Sequence, residues 1–341
     1  MKAAYAADLA ADQTVTTFFL VCDKEIRTSQ NTGKQWLHLE LGDRSGTIAA
    51  KMWEGFEDVT ATFERDDVVK VQGRVKLYKN RNEISIEKIR PARSEEYDWA
   101  DLMPHTKADV EQLYARLREF VAAVQNPWLA KLLVSIVEDP QIIPRLKRAP
   151  AAKTMHHAYI GGLLEHIISL CGLCRAVLAH YKEVDADLVL TGAILHDIGK
   201  IHELSYDRSL GYTTEGELLG HILLEYEIVT KRMDAIEGFP PALKTIVQHL
   251  LLSHHGRLEF GSPRVPMFPE AVLLHYLDDL DSKLGAASAT LERSGGEGDW
   301  SEWNSALGRK LLRLDRYLRG EKEFAPAAPQ QLKLEPPEKS R

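Results

Sequence analysis

The spacing of apolar residues changes period once along the chain. In QWLHLELGD, Leu37, Leu39 and Leu41 alternate with Trp36, His38 and Glu40, the two-residue period of a half-buried strand. Five β-rich runs of this kind lie at 15–28, 35–43, 46–53, 68–78 and 82–91, divided by the polar turns SQNTGK, DRSG and YKNRN. With one helix-capable insert, WEGFEDVTATF, they predict a small closed all-β barrel.

After Pro91 the period becomes helical. SEEYDWADLMPHT (94–106) reads as a linker, and Thr106 followed by Asp109 predicts a capping box. Leu113, Leu117, Phe120, Val121 and Val124 then recur at helical spacing. Asn126-Pro127 and Asp139-Pro140 read as caps with proline at the first helical position. Every periodic segment from there to about Leu318 is helical, and SGGEGD (294–299) marks a surface loop. The expected division is a flexible lead at 1–13, a barrel at 14–93, a linker and helical lead-in at 94–153, an all-α bundle at 154–318 and a disordered Pro/Lys/Glu-rich tail at 319–341.

Composition narrows the class. Apolar residues make up 44% and charged residues 27%, enough for two packed cores in a chain of 341 residues. The net charge of −7 gives no global attraction to nucleic acid, so any such contact needs a local basic patch. Three cysteines make no disulfide framework, which fits a cytoplasmic location. Cys171 and Cys174 lie i,i+3 in an apolar helical run and read as buried core residues rather than half a zinc clip. The acidic N-terminus has no signal-peptide core, and no apolar run reaches membrane-spanning length.

Thirteen histidines are present, and eleven fall between His156 and His275, which points to a site in the helical region. His166, the pair His196-Asp197, His221, the pair His254-His255 and Asp278 each sit on or just past an apolar helical stretch. Several helices can therefore aim them into one bundle interior. Imidazoles with carboxylates suit divalent ions, and one carboxylate between two histidine sets can bridge a pair. His180, His202, His249 and His275 read as structural or exposed.

The ordered set H…HD…H…HH…D, with lysine after HDIG, resembles the HD superfamily of metal-dependent phosphohydrolases. The resemblance implies that His166, His196, Asp197 and Asp278 hold one metal. It implies His221 and His254 for a second, with Asp197 as the bridge and His255 a further candidate. Lys200 of HDIGK then matches a lysine that helps hold the substrate phosphate, and His157 is implied as a phosphate contact. Asp278 is preferred over Asp281, its i,i+3 neighbour on the same helix face. A five-stranded OB-like barrel before the bundle, and the strings HHAYIGGLLEH, LHDIGK and LSHHG, resemble the YhaM-type 3′-to-5′ exoribonucleases over residues 14–318. No GYP triplet follows the HD pair, which argues against a cyclic-dinucleotide phosphodiesterase.

In the barrel, Arg74, Lys76, Lys79, Arg81, Lys88, Arg90 and Arg93 outnumber Glu83 and Glu87. With Trp36, Trp53 and Tyr78 they suit a stacking platform with a basic rim for single strands. The bland alternative is aromatics filling the barrel beside a solvated hairpin. The expectation is thus an OB-like barrel followed by an HD-type helical bundle that hydrolyses single-stranded nucleic acid, RNA ahead of DNA, from the 3′ end. Asp197 and Lys200 are its central catalytic residues. His157, His255, Lys200, Trp36, Arg74 and Lys76 are the expected substrate contacts. Two divalent ions are expected, with Mn²⁺ favoured by nitrogen-rich donors; no membrane contact is expected, and homo-oligomerisation is left open. The alternatives are a phosphohydrolase of nucleotides or cyclic nucleotides, and a binding protein with a relict site.

Overall fold

The computed structural model describes residues 2–29, 33–78, 81–153, 157–207, 210–293 and 298–320. Contacts divide the chain into one unit at Met1–Ser282 and a second at Lys283–Arg341.

The first unit begins with five strands: β1 (Thr14–Thr28), β2 (Gln35–Asp43), β3 (Gly46–Met52), β4 (Val68–Tyr78) and β5 (Arg81–Pro91). A short helix α1 (Phe56–Thr60) follows β3. The strands close in the order β1-β2-β3-β5-β4. Closure depends on the long β1. Its first half pairs with β4 and its second with β2, and a bulge between Val21 and Asp23 turns it from one partner to the other. A parallel pairing of Ala49–Lys51 with Glu83–Ser85 completes the ring. A second bulge falls between Gln72 and Gly73, where a Cβ on Gly73 would lie 2.4 Å from the Ser85 carbonyl oxygen. Phe19, Leu37, Leu39, Leu41 and Ile84 fill the barrel, so the alternating leucines of β2 do face inward.

Two expectations for the flanks are corrected. The first residues are not loose: Ala6 and Leu9 are buried, the Ala6 amide donates to Asp43 (2.7 Å), and the Tyr5 hydroxyl donates to Asp101 (2.5 Å). Small alanines allow this close packing, which gave no periodic signal. The linker is also packed. Leu102 joins Leu20 and Val68 in a small apolar cluster, and the Thr106 amide donates to the Ile160 carbonyl (2.9 Å). Thr106 is not the cap of the next helix. Asp109 is, accepting from the amides of Glu111 and Gln112.

The bundle comprises α2 (Val110–Ala123), α3 (Pro127–Val137), α4 (Ile143–Leu146), α5 (Gly162–Leu178), α6 (Ala186–Leu195), α7 (Lys200–Glu203), α8 (Thr214–Ala235), α9 (Pro241–Ser253) and the start of α10 (Pro269–Arg293). Asn126 caps α3 with Pro127 at its first position. Asp139 instead caps the turn before α4, accepting from Gln141 and Ile142. Helix α6 is the centre: Val189 through Leu195 are all buried. Cys171 and Cys174 are buried free thiols in the same core. The bundle is not purely helical, because β6 (Leu204–Ser205) and β7 (Gly211–Tyr212) form a small ribbon between α7 and α8.

In the second unit, Asn304 donates to the Thr290 hydroxyl (2.7 Å), and the buried Arg313 donates to the Gly298 carbonyl (2.6 Å). A short helix α11 (Leu314–Tyr317) follows. The tail expected to be disordered lies, from residue 321 on, outside the described residues, as do Lys79 and His156.

Candidate metal centre

Six helix segments aim side chains at one region. His166 stands in the second turn of α5. His196 is the C-cap residue of α6 with Asp197 next to it, and Lys200 opens α7. His221 lies in α8 at a break, His254 caps α9, and Asp278 lies in α10. Gly199 permits the close approach of α7 and α8: a Cβ there would meet the His221 carbonyl oxygen at 2.1 Å.

On one side of Asp197, Nε2 of His166 lies 3.6 Å and Nε2 of His196 3.4 Å from Oδ2. Oδ1 of Asp278 is 3.3 Å from His166 Nε2 and 3.6 Å from His196 Nε2. On the other side, Oδ1 of Asp197 lies 3.6 Å from Nε2 of His221. Ligand atoms of His221, His254 and His255 lie within 4.8 Å of one another. The structure thus gathers every predicted metal residue, and it brings in His255 beside His254 rather than instead of it. Regular helix would have turned His255 away. But α9 stops at Ser253, and Gly256 at φ +74° reverses the chain.

Five imidazoles among the described residues share one orientation. Nδ1 of His166 is tied to Asp281 (2.8 Å), of His196 to the Ala193 carbonyl (3.1 Å) and of His221 to Glu203 (3.0 Å). Nδ1 of His254 is tied to the Leu251 carbonyl (2.7 Å) and of His255 to the Phe260 carbonyl (2.8 Å). A carbonyl can only accept, so each Nδ1 on one carries the proton and Nε2 is left facing the centre. Such outer bonds are what orients metal-ligating histidines. His254 makes the sharpest test of fit. Its Nε2 is buried with no hydrogen-bond partner among the described residues. Burial, with His255 and His196 nearby, holds its pKa well below the usual range, so it offers a bare lone pair. This donor set suits divalent ions.

The first side behaves differently. Burial opposes protonation of His196, but Asp197 and Asp278 outweigh it and lift its pKa to about 10. Asp278 and Asp281 likewise raise His166 against its burial. Burial disfavours the Asp197 charge, yet Lys200 and His196 hold its pKa well below the carboxylate range. Lys200 donates to Asp197 Oδ2 at 2.7 Å from a largely buried position. It therefore sits on the shared carboxylate itself.

His157 lies at the rim, its Nε2 4.0 Å from Asp281. The Tyr159 hydroxyl donates to Glu165 (3.1 Å), so Nδ1 of His157 donates to the Tyr159 oxygen (2.7 Å). His157 adopts φ +51°, and Gly162 leaves room for its carbonyl, which a Cβ would meet at 2.0 Å.

Sequence reasoning missed Glu203 and Glu225, weighed Asp281 only as a rival to Asp278, and read His275 only as structural or exposed. Asp281 holds His166, Glu203 holds His221, and His275 donates from Nδ1 to the His254 carbonyl (2.9 Å). Glu225, four residues past His221 on α8, is fully buried with neither oxygen hydrogen-bonded among the described residues. Burial, then Asp197, drives its carboxyl well above the usual range, which favours the neutral form. An acid at i+4 from a candidate ligand, inside LLEYEIV, was the available signal.

The barrel residues form a separate surface. The rings of Trp36 and Trp53 lie 5.0 Å apart at 32°, with Trp53 substantially exposed, so these aromatics do not fill the barrel. Tyr78 is exposed with the Lys51 ammonium 4.5 Å above its ring. Lys76 is exposed on β4, but Arg74 is paired with Asp12 (3.1 Å) and so is not a bare rim charge.

Residues 163–283 match the HD domain family, and residues 23–92 match the OB-fold nucleic acid binding domain family. The 3′-5′ exoribonuclease YhaM of Bacillus subtilis (strain 168) is 34% identical over 279 residues, covering 81% of this chain and 87% of that one. The protein of the same name from Bacillus licheniformis is 34% identical over 276 residues, covering 81% and 87%. No helix among the described residues is long and apolar enough to cross a membrane.

Proposed function

This chain belongs to the YhaM family of 3′-5′ exoribonucleases, and on that premise we propose that it shortens single-stranded RNA from its 3′ end by metal-dependent hydrolysis. The observation that carries the reading is Asp197, which turns Oδ2 to His166 and His196 and Oδ1 to His221. One ion would be held by His166, His196, Asp197 and Asp278. A second would be held by Asp197, His221 and His254, with His255 at hand. When bound, such ions supply Lewis acidity to phosphoryl oxygens and make water acidic enough to react near neutral pH. Mn²⁺ is the favoured ion, because nitrogen-rich donors bind it ahead of Mg²⁺.

The chain's own groups do the rest. The outer hydrogen bonds keep each Nε2 turned inward, which fixes the geometry before substrate arrives. Lys200 places positive charge at Asp197, where it neutralises charge developing on the scissile phosphate. His157, at the rim, contacts a phosphate oxygen. On the barrel, the Trp36–Trp53 pair stacks bases, and the exposed Lys76 meets a backbone phosphate.

Turnover of a ~20-nucleotide RNA against mononucleotides and cyclic nucleotides tests this reading, because stacking adds ~1–3 kcal/mol per base only for a strand. The expected result is hydrolysis of the RNA alone. Preference for mononucleotides would overturn it.

A further inference from the structure

Helix α8 is broken at Gly220, whose φ of +71° and ψ of 158° lie far from helical values. The break frees the next amide, that of His221, from the helical ladder. Glu203, the last residue of α7, takes that amide. Its Oε1 accepts from the His221 backbone N–H (3.0 Å) and from His221 Nδ1 (3.0 Å) at once. One oxygen therefore fixes both the start of the second half of α8 and the rotation of the imidazole it begins with.

The surroundings are shaped for this. Glu203 is 8% exposed. A Cβ on Gly216 would lie 2.2 Å from the Glu203 carbonyl oxygen, so only glycine lets α8 pass so close. That same carbonyl accepts from the Thr213 amide (2.9 Å), and Thr213 caps α8 by accepting from Gly216. No glycine elsewhere in α8 leaves the helical region. A helix that merely had to present His221 would need no break, since an unbroken α8 also carries a side chain at that position. What the break adds is a second donor for Glu203.

We propose that Glu203 is a positioning residue that aims Nε2 of His221 and thereby sets the affinity of the second metal position without touching the first. This rests on the reading above that His221 is a ligand. His166 and His196 take their outer bonds from Asp281 and Ala193, so Glu203 has no part in holding them.

The test is a Mn²⁺ titration by calorimetry of the full chain, with turnover of a short RNA alongside. The wild type and the Glu203→Ala, Glu203→Asp, Glu203→Gln and His221→Ala variants are compared. Outer hydrogen-bond partners of ligating histidines typically set ~10–100-fold in metal affinity. Glu203→Ala and Glu203→Asp are expected to weaken the second class of sites by that factor and to leave the first unchanged, Asp because it keeps the charge but not the reach. Glu203→Gln keeps an oxygen that accepts both bonds and should restore the wild-type titration. Turnover number should fall with metal affinity, while KM stays near wild type. If His221→Ala removes the second class but Glu203→Asp titrates like wild type, Glu203 does not position His221 and the metal reading stands. If His221→Ala binds two ions as tightly as wild type, the metal reading fails and the proposal with it. Equal weakening of both classes in Glu203→Asp makes Glu203 a general structural residue and overturns the proposal as well.

Discussion

Oδ1 of Asp197 lies 3.6 Å from Nε2 of His221, while the other oxygen of the same carboxylate faces His166 and His196. A single side chain thus belongs to two histidine sets on four helices. Helix ends make this possible. Asp197 follows the C-cap of α6, where the chain can turn both oxygens inward, and His254 occupies the same kind of position on α9.

Lys200 separates charge handling from metal holding. Its ammonium cannot ligate an ion, yet it bonds Asp197 Oδ2. Lys200→Ala is expected to lower the turnover number by ~10²–10³-fold, the usual loss for one preorganised electrostatic contact. Metal content measured by atomic emission should stay near wild type. Loss of the metal in this variant would make Lys200 a support for Asp197 rather than a phosphate contact.

Proton release follows from the raised pKa values of His166 and His196. The neighbouring carboxylates favour the protonated form of both imidazoles, and ligation needs the neutral form, so ion uptake expels protons. Affinity should rise with pH from 6 to 9, and the heat of Mn²⁺ binding should vary with the ionisation enthalpy of the buffer. The same shift has a stability consequence with a definite sign. The contribution of His196 in chelator-treated protein is fully present below its ordinary value of 6.5 and is lost as pH rises through about 10. Calorimetry in two buffers checks the first point, and pH-dependent melting checks the second.

The barrel is best tested by point changes. Removing residues 1–93 would uncover Leu102, which packs on Leu20 and Val68, and so would disturb more than recognition. Trp36→Ala with Trp53→Ala removes the stacking pair alone. Two lost stacks at roughly 1–3 kcal/mol each should raise KM for a ~20-nucleotide RNA at least tenfold and leave a dinucleotide unaffected. Equal effects on both lengths would assign the pair a structural role.

The parts of this design that were legible in the sequence are those carried by side chains in local strings. The alternating leucines of β2 marked a strand, and His196-Asp197 with Lys200 marked the centre. His166, His221, His254 and Asp278 followed from their order. The parts that were not legible depend on the backbone. Ala193, Leu251 and Phe260 orient histidines through carbonyls that every residue has, so no side-chain pattern could reveal them. His255 stayed open between ligand and substrate contact, because the end of α9 at Ser253 is set by the backbone turn at Gly256 and not by a side-chain pattern. Asp109 rather than Thr106 caps α2 because Thr106 is engaged with Glu165 in the fold.

The most direct measurement is the product pattern from a 5′-labelled single-stranded RNA with Mn²⁺, for the wild type and for Asp197→Asn. This substitution keeps the side-chain shape but removes the charge shared between the two histidine sets. The account predicts a ladder shortening from the 3′ end for the wild type, its loss with chelator, and no ladder for Asp197→Asn in a protein that still melts cooperatively. Immediate release of labelled mononucleotide, or a full ladder from folded Asp197→Asn, would contradict it.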